Sequence, residues 1–116
     1  MLTSSCKGKG RSLQKWLRDL LLSLGKGLTD ADIRSTGMGQ PGSDLQLSTA
    51  ALEQFNYEYE CKNLARVAVY KFYEQAKARS SKEVVVVIKQ NRSKPLVIVD
   101  AEHFFNLVRK ANDNKE

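Results

Sequence analysis

Leu13, Trp16, Leu17, Leu20, Leu21 and Leu24 recur at i, i+3, i+4, i+7, i+8 and i+11, the spacing that lines one face of an α-helix. It predicts an amphipathic helix from Arg11 to Leu24, ended by Gly25. Thr29-Asp30-Ala31-Asp32 has the form of a capping box and predicts a short helical turn before Ile33. Gly37, Gly39, Pro41 and Gly42 make Ser35 to Ser43 the clearest loop. The pattern then changes to alternation. Asp44 to Ser48 reads as a strand with Leu45 and Leu47 inward, and Thr49 to Asn56 as a connection. In a second strand, Tyr57 to Lys62, Glu58, Glu60 and Lys62 share one face and Tyr57, Tyr59 and Cys61 the other.

Val67 to Arg79 is helical by pattern, with Val69, Phe72, Tyr73 and Ala76 as its apolar stripe. Val84-Val85-Val86-Val87-Ile88 is an unbroken β-branched run, which suits a central strand covered on both faces. Asn91-Arg92-Ser93-Lys94 predicts a polar turn, and Leu96 to Val99 the next strand. Asp100 is a good N-cap for a last helix with Phe104, Leu107 and Val108 facing the core. The expected order is α-β-β-α-β-β-α in one α/β domain spanning residues 1–116, a central mixed sheet flanked by helices. Residues 1–8 and 111–116 are expected to be flexible.

With 116 residues the chain is sized for one core. Its apolar stretches are too short to cross a bilayer, and Met1 to Gly10 lacks the form of a signal segment. No membrane partner is expected, and the cytoplasm is the expected location. Nineteen Lys and Arg against thirteen Asp and Glu leave a net charge of +6. That excess suits a polyanion such as nucleic acid, though it is equally compatible with solubility alone. Cys6 and Cys61 are expected to be reduced, and neither has the spacing of a zinc site.

The candidate chemistry lies in Asp44 and in Tyr59-Glu60-Cys61-Lys62-Asn63. Phosphodiester hydrolysis needs an activated water and neutralised phosphate charge, and Mg²⁺, which prefers hard oxygen ligands, supplies both. Asp44 and Glu60 on adjacent strands would offer two carboxylates, and the Cys61 carbonyl a third oxygen. Lys62, on the Glu60 face, can orient the water or offset negative charge. Read alone, Glu-x-Lys on a strand face is an ordinary solvated ion pair. Basic residues around it and the Gly/Pro-rich loop before Asp44 favour the catalytic reading.

Lys9-Gly10-x-x-x-Gln14, Arg34-Ser35-x-Gly37, Asp44-Leu45 and Glu60-x-Lys62, in that order, resemble the archaeal-type Holliday junction resolvases. These are small members of the PD-(D/E)XK nuclease superfamily, and the chain resembles their bacteriophage representatives. The resemblance runs from Lys9 to about Gln75 and implies a restriction-endonuclease-like fold. It also implies a Mg²⁺-dependent DNA endonuclease, with Mn²⁺ as a substitute, acting as a homodimer on four-way junctions. If a phage encodes it, the host cytoplasm is the compartment. Asp44, Glu60 and Lys62 match the catalytic acid, acid and lysine. Gln14 stands where the family has a glutamate, keeping an oxygen but losing the charge. Lys9, Arg11, Lys15, Arg34, Ser35 and Gln75 are the implied DNA contacts. Other branched or single-stranded DNA, or DNA binding without cleavage, are the alternative readings.

Overall fold

The computed structural model describes residues 4–37 and 43–114, with side chains from residue 11 onward. It is a mixed α/β chain. In order, the elements are α1 (Ser4–Leu24), β1 (Ile33–Ser35), β2 (Leu45–Leu47), α2 (Thr49–Gln54), α3 (Val69–Arg79), β3 (Val86–Ile88), β4 (Leu96–Ile98) and α4 (Ala101–Asp113). Among the described residues the strands form two separate antiparallel pairs, β1 with β2 and β3 with β4, where the sequence predicted one mixed sheet. Two compact units result, Met1–Leu64 with Phe105–Glu116, and Ala65–Phe104.

In the first unit, α1 packs on β1 through a stripe that differs from the expected one. Gln14, Leu17 and Leu21 are the buried line, whereas Trp16 is 43% exposed. Arg18 ties helix to strand, its Nε donating to the Ile33 carbonyl at 2.7 Å. The turn before β1 forms as the capping-box pattern predicts: the Thr29 N–H donates to Asp32 Oδ2 at 2.7 Å. β1 itself was not foreseen. Its register pairs Ile33 with Leu47, Arg34 with Gln46 and Ser35 with Leu45.

The connection after β2 is a helix, contrary to expectation. Ser48 caps α2, its Oγ accepting from the Ala51 N–H, and the same hydroxyl donates to Asp32 Oδ1 at 2.7 Å. Ala51 and Phe55 are buried behind it. Phe55 meets Phe105 of α4 edge-on, with 6.4 Å between ring centroids, and Tyr59 stacks on Phe105 at 6.2 Å. Phe105 is therefore the buried residue of α4, where Phe104, Leu107 and Val108 were expected; Leu107 is 49% exposed. Residues 111–113, expected to be loose, continue α4. Asn112 donates to the Gln54 carbonyl at 2.6 Å, and Asp113 pairs with Lys26 at 2.7 Å. Residues 4–8 likewise belong to α1.

The second unit holds α3 and the β3–β4 hairpin. Val84 is buried, but Val85, Val87, Leu96 and Val97 are exposed, so the valine run is not covered on both faces as predicted. Phe72, expected in the stripe of α3, is also exposed. The hairpin turns where expected, the Ser93 N–H donating to the Gln90 carbonyl at 3.1 Å with Arg92 at φ 63°. Asp100 caps α4, its Oδ1 accepting the His103 N–H at 3.0 Å. Among the described residues no helix is long and apolar enough to cross a membrane.

Candidate metal and nucleic-acid site

The backbone runs from β1 through β2 to the Glu60 segment by successive hydrogen bonds. Thr36 N–H donates to the Asp44 carbonyl at 2.9 Å, and Asp44 N–H to the Tyr59 carbonyl at 2.8 Å. Tyr57 to Lys62, predicted as a strand, is extended beside residues 43–44 without a regular ladder. Two side chains explain this. Ser43 Oγ accepts the Tyr59 N–H at 2.8 Å, and the Asp44 carboxylate accepts the Cys61 N–H. Short polar side chains thus take amides that a ladder would otherwise use.

That substitution fixes the Asp44 carboxylate against the Glu60-Cys61-Lys62 backbone. Tyr59 is buried and anchors the segment, its hydroxyl donating to the Phe55 carbonyl at 3.0 Å. Burial, and then the neighbouring Tyr57 ring, push the Tyr59 hydroxyl's pKa upward. Glu60 and Lys62 face solvent and pair at 3.1 Å. An exposed pair of this kind contributes little to stability, so a ligand can separate it at small cost. The Cys61 thiol is free and half-buried. Burial first, then the charges of Asp44 and Glu60, push its pKa up to about 11. Both carboxylates therefore act on one point, the Cys61 side chain.

The donor set fits a hard cation. It comprises the Asp44 carboxylate, with one oxygen committed to an amide, the Glu60 carboxylate and the Cys61 carbonyl. Mg²⁺ is commonly held by one or two carboxylates, with water and substrate phosphate completing its octahedron. Among the described residues there is no cluster of three or more His, Cys, Asp or Glu side chains, so these two acids are the protein's charged contribution.

Beside this segment a cleft of about 470 Å³ is lined by Arg11, Gln14, Lys15 and Arg18 of α1, and by Arg34, Ser35, Thr36 and Gly37. The four helix residues lie at i, i+3, i+4 and i+7, which places them on one face. Thr36 joins the cleft to the acid segment: its Oγ1 donates to the Ser43 carbonyl at 2.5 Å and its N–H to that of Asp44. Arg18 is engaged with the Ile33 and Asp30 carbonyls and the acids Asp19 and Asp30. Arg11, Lys15 and Arg34 are exposed. Gln14 is 5% exposed, and its Oε1 is buried without a hydrogen-bond partner.

The expected residues thus fall into three groups. Asp44, Glu60, Cys61 and Lys62 come together, and Arg11, Gln14, Lys15, Arg34 and Ser35 share the adjoining cleft. Gln75 lies exposed on α3 in the second unit. Lys9 belongs to α1, but its side chain lies outside the described residues, as do the loop positions 38–42 before Asp44. Sequence reasoning missed Arg18 and Thr36. The spacing of Arg18, seven residues after Arg11, was the signal for the first; Thr36 had none. No family model, curated protein or solved structure matches the chain.

Proposed function

We propose that this protein is a metal-dependent, structure-selective DNA endonuclease that cuts four-way junctions. The observation that carries the proposal is the Asp44 carboxylate fixed on the Cys61 amide, which sets one acid beside Glu60 and Lys62. Asp44, Glu60 and the Cys61 carbonyl would hold Mg²⁺, or Mn²⁺ in its place. The ion supplies Lewis acidity and charge neutralisation at the scissile phosphate. Lys62 leaves its pairing with Glu60 to contact the phosphate or orient the attacking water. Arg11, Lys15, Arg34 and Ser35 bind the flanking backbone, and so position the strand without reading its sequence.

The finer fold belongs to the same proposal. The bonds from Thr36 through Asp44 to Tyr59 set three extended segments side by side, a beginning of the central sheet in a restriction-endonuclease-like domain. Cutting two strands of a junction symmetrically calls for two sites, which a twofold homodimer provides. One observation favours a second reading, binding without cleavage: a neutral glutamine occupies the buried helix position, and two acids are all the site offers.

Labelled four-way junction, linear duplex and single strand, each incubated with Mg²⁺, Mn²⁺ or EDTA, separate these readings. The proposal expects paired nicks in the junction with either metal and none in EDTA. Equal cutting of linear duplex contradicts the junction assignment. Tight junction binding without nicks in either metal establishes the second reading.

A further inference from the structure

We infer that the cleft between α1 and β1 seats one unpaired nucleotide of a DNA strand, its phosphate on Arg11, Lys15 and Arg34 and a donor group of its base on Gln14 Oε1. The inference rests on the nucleic-acid reading above and concerns what that surface recognises.

Three observations converge on it. The cleft holds about 470 Å³, within the roughly 300–1,000 Å³ of small-molecule sites; a phosphate lying on a flat basic surface needs no such recess. Its exposed cations, Arg11, Lys15 and Arg34, make no hydrogen bond or ion pair with one another or with other described residues. Third, Gln14 is almost fully buried on the wall of this cleft and leaves its Oε1 unpartnered.

A buried acceptor without a donor is costly, so an occupant that satisfies it gains affinity. A phosphodiester offers only acceptors and does nothing for a carbonyl oxygen. A divalent cation would satisfy that oxygen, yet four basic side chains line the same recess and repel it. What suits both the cations and the oxygen is an anion that also carries an N–H. A nucleotide has this composition. Its base can enter a cleft of this size only when freed from pairing and stacking, the state of bases at a branch point or in a single strand. The terminal torsion of a glutamine is soft, so Oε1 can turn to meet the donor. Gln14 would then select unpaired bases, leaving the metal to Asp44 and Glu60.

Fluorescence anisotropy of the full chain in EDTA tests this with two ten-unit strands, oligo-dC and a tetrahydrofuran abasic strand of the same charge. The dC strand should bind at least about tenfold more tightly. Gln14→Leu should remove most of that preference while changing abasic-strand affinity less than about twofold, and Gln14→Glu, which keeps an acceptor, should retain the preference. Free dCMP should compete at least about a hundredfold more weakly than the dC strand, because it brings one phosphate where the strand brings many. Equal affinity for the two strands overturns the inference even if Gln14→Leu fails to fold. So does an undiminished dC preference in a folded Gln14→Leu protein, and competition by dCMP at equal concentration overturns the assignment to a strand. The assay reads binding without metal. A protein that cuts junctions but ignores the base sinks only this inference; one that reads the base but cuts nothing sinks only the nuclease.

Discussion

The carboxylate of Asp44 accepts the backbone N–H of Cys61, so one acid is held in place by the segment that carries the other. The contact has a structural and a chemical role, and two substitutions separate them. Asp44→Ala leaves a half-buried amide without its acceptor and should cost about 1–3 kcal/mol in urea denaturation. Asp44→Asn keeps an acceptor oxygen and should cost less than about 1 kcal/mol. Cleavage should be lost in both. A stable Asp44→Asn protein that still cuts would remove Asp44 from the metal site.

Cys61 reports on the same acids. Burial and the charges of Asp44 and Glu60 raise its thiol from 9.0 to about 11. Alkylation by iodoacetamide at pH 8 should therefore be slower than for an unfolded control, because the thiolate is the reactive form. The raised value also has a sign in stability. The unfolded chain gives up this proton more readily, so the contribution is complete below pH 9 and is lost as pH rises to about 11. Cys61→Ala should flatten that loss, and a Cys61 that alkylates as fast as the unfolded control contradicts the crowding of carboxylates around it.

Asp32 sets the acid limb. Hydrogen bonds from the Thr29 backbone first, then the Ser48 hydroxyl, lower its pKa below the ordinary 3.8. Its stabilising contribution is present above pH 3.8 and falls away as pH drops through the lowered value. Asp32→Asn should be less stable than the wild type at pH 7 and should lose less on acidification. Acid titration of the two proteins by circular dichroism checks this; parallel curves would show that the turn before β1 does not depend on the charge.

How much of this was legible in the sequence depended on what signal each element carried. Helix α1 was readable because its leucines repeat, and Asp100 announced α4 as an N-cap that forms as expected. The face of α1 was harder to read. Periodicity treats Trp16 as core and Gln14 as boundary, yet packing on β1 buries Gln14 with Leu17 and Leu21 and leaves Trp16 half exposed. Strand β1 has one apolar residue among three, so only its pairing with β2 defines it. Helix α2 did have a signal, Ser48 followed by Ala50, Ala51, Leu52, Glu53 and Gln54, a cap and good helix formers. Alternation set Tyr59 and Glu60 on opposite faces as found, but it could not show that Ser43 and Asp44 side chains would replace the ladder. In the second unit the valine run implied two covered faces, and the exposed Val85 and Val87 show that composition alone does not cover a strand.

Phe105 supports the site from behind, packed between Phe55 and Tyr59. Phe105→Ala should cost about 3–5 kcal/mol, and at temperatures where the variant remains folded it should loosen the Tyr59–Cys61 segment. Amide hydrogen exchange at Tyr59 and Cys61 reads this directly. Unchanged protection in the folded variant would mean that Ser43 and Asp44 hold the segment unaided.

The central claim is that Asp44, Glu60 and Lys62 act together on a phosphodiester. Mg²⁺-dependent cleavage of a labelled four-way junction by wild type and Lys62→Ala, with junction affinity measured in parallel in EDTA, tests it most directly. The account predicts nicking by the wild type, no detectable nicking by Lys62→Ala, and affinities within about threefold, since one exposed lysine among many phosphate contacts changes binding little. Undiminished cutting by Lys62→Ala, or a wild type that binds the junction and never cuts it, would contradict the account.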